Sequence, residues 1–276
     1  MMKFLHIGDV HLDTTFLCRT ETLRARLRDG LRTAFGRAVD CAVSEQVDAF
    51  LIAGDLFDND NLSFRTEELL IDELKRLDAN GITTVYVSGN HDPGNGRFAA
   101  IASHVAERFH YAPDGNVVVV DVPGRNGEAV GRIVGAGHAT AREANNLAKR
   151  FPAATSGLPH VGLLHTMVAG ARDAEGHDRY APCAVEDLRK PGYRYWALGH
   201  IHVRQQVCDQ SHAYYSGNVQ GRNPRETGPK GGLLVTIRDG MNPEVAFRSF
   251  APIQWLRLTV KDLSAVATVQ ELVSRI

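Results

Sequence analysis

The residues able to do chemistry form one ordered series: Asp9-x-His11, Gly54-Asp55, Gly89-Asn90-His91-Asp92, His165 and Gly199-His200-x-His202. Asp9, His11, Asp55, Asn90, His165, His200 and His202 carry donor atoms for a cation, and His91 can carry a proton. A mixed imidazole, carboxylate and amide set favours Mn, Fe, Zn or Co over Mg or Ca. Two such ions ~3.5–4 Å apart can clamp a phosphoryl group and activate a water, so the series suits phosphate-ester hydrolysis. Asp55 has two oxygens and can bridge two cations. His91 can bind a phosphate oxygen or protonate a leaving alkoxide. Asp92 is placed to orient His91 or to support the site from behind.

Each member follows a short apolar run, at residues 4–7, 49–53, 85–87, 161–164 and 195–198. Helical spacing of Leu23, Leu27, Leu31, Phe35, Val39 and Ala42 predicts a helix over 22–46, with Arg24, Arg26, Arg28, Arg32 and Arg37 on its other face. Leu69, Leu70, Leu74 and Leu77 predict a second over 64–80, stopped at Asn80-Gly81. This β-α-β-α-β order implies a parallel α/β sheet whose strand C-terminal ends share one ligand-binding edge. Strand alternation aims Asp9 and His11 at one metal together, and His200 and His202 likewise. The second half reads as strands at 117–122, 132–135, 161–164, 195–198, 205–207, 213–216, 233–237 and 245–250, with one helix near 141–150. These suggest a second sheet packed on the first. Residues 255–260 read as a strand and 265–275 as a helix, the start of a second domain that is not fully present.

The chain has 276 residues and a formal net charge of −1. That excludes a globally basic nucleic-acid binder but allows a local basic patch. Arg222, Arg225 and Lys230, in a Gly/Pro-rich loop, could contact phosphates or be ordinary solvated charges. Cys18, Cys41, Cys183 and Cys208 are scattered and form no CxxC pair, and read as small buried hydrophobes. No apolar run approaches the ~18 residues of a membrane helix, and no signal segment opens the chain. A reduced, cytoplasmic enzyme is expected. His6, His104, His110, His138, His160, His177 and His212 lack comparable context and read as solvated or core residues, with His6 pointing away from the site.

The ordered set D-x-H, GD, GNHD, H and GHxH over residues 3–202 resembles the calcineurin-like metallophosphoesterase superfamily. The stretches Gly8-Asp9-Val10-His11-Leu12-Asp13, Gly54-Asp55-Leu56-Phe57-Asp58 and Trp196-Ala197-Leu198-Gly199-His200-Ile201-His202 are similar to its DNA-repair exonuclease branch, which holds the SbcD-like and YhaO-like proteins. Tyr180-Ala181-Pro182-Cys183, Ser216 to Arg222 and Arg225-Glu226-Thr227-Gly228 look closest to the YhaO-like group. The resemblance implies a four-layer α/β/β/α sandwich, with the catalytic core over 1–250 and the start of a small C-terminal capping domain over 251–276. It implies two divalent metal ions, manganese in kind. One would be held by Asp9, His11, Asp55 and His202, the other by Asp55, Asn90, His165 and His200, with His91 as proton donor. It further implies DNA as substrate, an SMC-like ATPase as partner, and a homodimer contact through the helices at 22–46 and 64–80.

Three functions are consistent with these residues. One is a manganese-dependent nuclease. A second is a small-molecule phosphodiesterase or phosphatase with the same chemistry, which the near-neutral charge favours mildly. The third is a non-catalytic DNA- or ATPase-binding subunit, against which the intact donor set and His91 argue, because a scaffold needs neither.

Overall fold

The computed structural model describes residues 1–17, 20–58, 62–94, 98, 102, 104–155, 157–173, 178–261 and 263–274. Two six-stranded mixed sheets pack face to face. The first contains β1 (Met2–Ile7), β2 (Ala49–Ala53), β3 (Thr83–Val87), β4 (Phe109–Ala112), β11 (Gly231–Ile237) and β12 (Glu244–Ser249), in the order β12-β11-β1-β2-β3-β4. The second contains β5 (Val118–Pro123), β6 (Ala129–Ala136), β7 (His160–His165), β8 (Tyr195–Gly199), β9 (Gln205–Cys208) and β10 (Ala213–Tyr215), in the order β5-β6-β7-β8-β10-β9. Strands β1 to β4 run parallel, as do β6, β7, β8 and β10.

Alternation along β1 explains the layers. Phe4 faces the second sheet with Leu51, Val85, Leu163 and Tyr195, whereas Leu5 and Ile7 face the helices with Leu31, Phe35 and Leu74. Those helices are α1 (Glu21–Ser44) and α2 (Phe64–Ala79), each with its N-terminal cap, Thr20 or Ser63, accepting a backbone N–H. The outer face of the second sheet is covered by loops, the 3₁₀ turn Leu147–Arg150 and the short helix α3 (Val185–Arg189), over a core that includes Trp196, Phe151 and Leu188. Two facing sheets with helices outside the first agree with the sandwich that the resemblance implies.

Several expected elements differ. Strands β11 and β12 return to the first sheet, because β11 completes the open edge of β1 antiparallel to it. The helix expected near 141–150 reduces to the 3₁₀ turn. The strand β4 was not expected. Residues 255–260 form no strand among the described residues, and the last helix, α4, covers only Val269–Val273. Ile253 and Trp255 nevertheless pack against the α1–α2 core. Leu23, expected in the α1 stripe, is 42% exposed, while Leu27 and Leu31 are buried.

His6 lies between the sheets, with Nδ1 3.1 Å from the Tyr195 hydroxyl and Nε2 3.2 Å from Leu198 O. Cys41, Cys183 and Cys208 are free thiols, the last two buried. Cys18 and His177 fall outside the described residues. No described helix is long and apolar enough to cross a membrane.

The two sheets pack tightly at Gly199, where an added Cβ would stand 1.8 Å from Ala53 O. Both atoms belong to strands held on either side, so neither can yield cheaply. Gly199→Ala is expected to cost at least ~2 kcal/mol, measured as a lowered guanidinium midpoint with an unchanged slope.

Candidate active site

Asp9, Asp55, Asn90, His165 and His200 all emerge at the C-terminal ends of β1, β2, β3, β7 and β8, so both sheets deliver donors to one edge. Asp9 (φ 51°), His11 (φ 53°), Asp55 (φ 51°) and His200 (φ 105°) lie in the left-handed region. Such backbone costs of order 1–3 kcal/mol per residue and persists only where its surroundings impose it. Here the turns brace one another: Asp9 N–H donates to Gly54 O (3.1 Å), and His11 N–H to Asp55 O (2.9 Å).

Because these residues have left the strands, the alternation rule fails for them. His200 and His202 diverge. His202 Nε2 stands 3.1 Å from His11 Nε2 and 3.9 Å from Asp9 Oδ1, whereas His200 Nδ1 stands 3.1 Å from Asn90 Oδ1. Asn90 Oδ1 is also 3.0 Å from His165 Nε2. Asp55 Oδ2 lies between the two groups, 3.7 Å from His11 Nε2 and 3.4 Å from His165 Nε2. Donor atoms of Asp9, His11 and His202 lie within 4.8 Å of one another, as do those of Asp9, Asp55 and His165.

The second nitrogen of every imidazole has an acceptor. His11 Nδ1–H donates to Asp58 Oδ1 (2.5 Å), His202 Nδ1–H to Glu226 Oε1 (2.9 Å), His165 Nδ1–H to Ala53 O (2.9 Å) and His200 Nε2–H to Asp178 O (2.8 Å). Each ring is thereby held in the tautomer whose other nitrogen presents a lone pair inward. Lone pairs from His11, His202, His165, His200, Asp55 and Asn90 then converge without protons between them. That arrangement is repulsive on its own and is satisfied by cations, so these residues fit a dinuclear metal centre.

Electrostatics agree. Burial holds His11 and His165 well below the usual imidazole range, hence neutral. Burial raises the Asp9 carboxyl to about 6, and burial also raises Asp55 well above the ordinary carboxylate range, with Asp92 and Asp9 adding repulsion. Burial would also raise Asp58 and Glu226, but hydrogen bonds and charge from their histidine partners outweigh it and keep both well below the ordinary carboxylate range. These two remain ionised acceptors.

Asp58 also accepts from His91 Nδ1 (3.0 Å), so His91 is oriented by Asp58 rather than by Asp92. The His91 side chain is 42% exposed and lines a cavity of about 790 Å³, with Asp58, Asn90 and Arg222. Asp92 instead is buried and accepts backbone N–H from Gly89 (2.6 Å), Leu56 (2.5 Å) and Asp55 (3.3 Å), plus the Tyr86 hydroxyl. It supports the Gly54-Asp55 turn. Of the three expected phosphate contacts, Arg222 lines the cavity, with Nη2 3.7 Å from Asp58 Oδ2. Lys230 is buried and donates to His202 O (3.0 Å), a tether for the ligand loop, and Arg225 is exposed outside the cavity lining.

Sequence reasoning missed Asp58, Glu226 and His138, whose Nε2–H donates to His165 O (2.7 Å). Asp58 closes the Gly54-Asp55-Leu56-Phe57-Asp58 stretch, and Glu226 lies within Arg225-Glu226-Thr227-Gly228, so both had a signal in the chain. The Ala53 and Asp178 carbonyls carry no side-chain signal at all.

A family model described as calcineurin-like phosphoesterase matches residues 2–204. This chain belongs to the calcineurin-like phosphoesterase family. The chain is 35% identical over 87% of its length to the uncharacterised metallophosphoesterase YhaO of Bacillus subtilis, covering 58% of that protein. It is 31% identical over 74% of its length to the DNA double-strand break repair protein Mre11 of Sulfurisphaera tokodaii, covering 49% of it. Against an SbcCD nuclease subunit from Rhodobacter capsulatus it is 28% identical, over 88% of this chain and 68% of that one. It thus spans about half to two-thirds of the length of these relatives. Among solved structures, TT1561 of Thermus thermophilus shares the fold at TM-score 0.51 and 13% identity (89% and 98% of the two chains). A dimetal phosphatase from Danio rerio does so at TM-score 0.51 and 14% identity (90% and 99%).

Asp92→Asn would turn an amide NH₂ toward backbone N–H donors that now meet a carboxylate oxygen. A loss of about 2 kcal/mol or more is expected in urea unfolding, with weakened metal retention by elemental analysis.

Proposed function

We propose that this chain is the catalytic core of a manganese-dependent phosphodiesterase that cuts DNA, the nuclease component of a repair-type assembly. The observation that carries the chemistry is the convergence of unprotonated donors on Asp55 Oδ2. The proposed ligand sets are Asp9, His11, Asp55 and His202 for one ion, and Asp55, Asn90, His165 and His200 for the other. Bound divalent cations supply charge for a phosphoryl group and an activated water.

The chain's own residues do the rest. His91, with Nδ1 anchored on Asp58, keeps Nε2 free to bring a proton to the leaving oxygen. Arg222 adds a cation at the cavity wall for a non-bridging oxygen. Burial of the donor set keeps bulk water from competing for it. Relatives named for DNA break repair and as a nuclease subunit support DNA as the substrate, and by the same analogy an SMC-like ATPase partner and a homodimer. We assign residues 1–250 to the core and 251–276 to the approach to a capping domain. The three free thiols among the described residues support a reducing, cytoplasmic setting.

Metal-stripped protein with manganese added back should hydrolyse both linear duplex DNA and bis-p-nitrophenyl phosphate. Hydrolysis of the small ester alone would favour a small-molecule phosphodiesterase, and metal binding with neither activity a scaffold. His91→Ala should lower turnover at least ~100-fold with two metals still bound, since general-acid help is worth that much and no ligand is lost. Metal loss in that variant would remove His91 from the proton-donor role. Asp55→Ala should weaken both ions together, and calorimetry showing one site intact would exclude it as the bridge.

A further inference from the structure

We propose that the apolar end of the cavity beside His91 is a nucleobase subsite, holding the base attached to the phosphate at the active site. The proposal rests on the phosphodiesterase reading above and names the substrate group that reading leaves open. One cavity of about 790 Å³ is lined by two kinds of side chain. Asp58, Asn90, His91 and Arg222, with Thr14, Thr15 and Asn223, form its polar part; the apolar part is Phe16, Leu17, Leu23, Leu27 and Trp255, with Pro224. The first five come from the loop after β1, the first turns of α1 and the segment after β12. Three distant stretches of chain therefore converge on one apolar wall.

Phe16, Leu27 and Trp255 belong to the α1–α2 core or pack against it, but the other two side chains of the wall are open. Leu23 belongs by spacing to the buried stripe of α1, yet it is 42% exposed, and Leu17 is fully exposed. Apolar side chains left open in a concavity, next to groups that handle phosphate, suit a ligand with an apolar body and a charged end. Trp255 is fixed in place: its indole Nε1–H donates to Gly221 O (2.9 Å), and a Cβ on Gly221 would meet its Cδ1 at 2.8 Å. The aromatic ring is thereby tied to the residue preceding Arg222, which holds a stacking surface beside a guanidinium. Aromatic side chains accept the faces of any base, and the described residues at this end carry no charge, which suits a neutral heterocycle rather than a second phosphate.

The test uses metal-reconstituted protein and two phosphodiesters with the same leaving group, thymidine 5′-(p-nitrophenyl phosphate) and methyl p-nitrophenyl phosphate. The readout is the ratio of their kcat/KM values. Wild type is expected to prefer the thymidine ester by roughly tenfold or more, the scale of stacking one base. That ratio should fall toward one in Trp255→Leu and in Leu23→Asn, and persist in Trp255→Phe. Leu23 lies on α1 and takes no part in the Trp255–Gly221 hydrogen bond, so its substitution leaves that anchor of the Arg222 loop in place. Equal use of the two esters by wild type, or a ratio unmoved by both substitutions, overturns the subsite. If neither ester is hydrolysed, the phosphodiesterase reading falls and the subsite is decided by Trp255 fluorescence. Saturable quenching by thymidine monophosphate but not by methyl phosphate supports it, and absence of quenching overturns it.

Discussion

The structure depends on one crossing, where Ala53-Gly54-Asp55 leaves β2 and the second sheet presses against it. Gly199 of β8 packs against Ala53 O, and His165 Nδ1–H donates to the same carbonyl. Gly54 takes φ 84°, and a side chain there would collide with the His165 ring, its Cβ 2.3 Å from Nδ1. Glycine is thus required twice over, for its backbone angle and for its empty space. The loop after β1 hydrogen-bonds across to Gly54 and Asp55, and His91 N–H donates to Asp55 Oδ1 (2.9 Å). Five strand ends are positioned through three residues.

Packing at that crossing decides chemistry because imidazole is ambivalent until one nitrogen is spoken for. Two carboxylates and two carbonyls take the outer N–H groups, leaving the inner nitrogens with lone pairs that a cation would satisfy. Burial makes this choice firm, since a charged imidazole is disfavoured away from water. The same burial raises Asp9 and Asp55, so the donor cluster by itself is electrostatically unsatisfied. The fold accepts that cost, together with four strained backbones, at a place where cations relieve it.

Asp58 couples this buried layer to the surface. One carboxylate holds a prospective ligand, His11, and the exposed His91, while Thr14 Oγ1–H donates to its other oxygen and Arg222 stands near. The loop carrying Arg222 and Glu226 is held in turn by Trp255, beyond the last strand of the sandwich. Residues outside the core therefore bear on the geometry of the cavity without touching the metal ligands.

Much of this was legible from the chain alone. Seven donors, each just after an apolar run, reported one sheet edge, and the α1 and α2 periodicities reported their crossovers. The failures share one physical cause. Alternation paired His200 with His202, but His200 has φ 105° and lies past the strand. Asp92 was adjacent to His91 in sequence, yet its oxygens are consumed by backbone N–H groups of two loops, and a residue far upstream, Asp58, takes its place. The α1 stripe included Leu23, because periodicity reports which face a residue occupies and not whether anything covers it. Residue types and order along the chain determined the donor set, the two-sheet fold and the family. Tertiary packing alone decided which nitrogen of each histidine faces inward, which donors stand together and what lines the cavity, because those depend on atoms brought together from strands far apart in sequence.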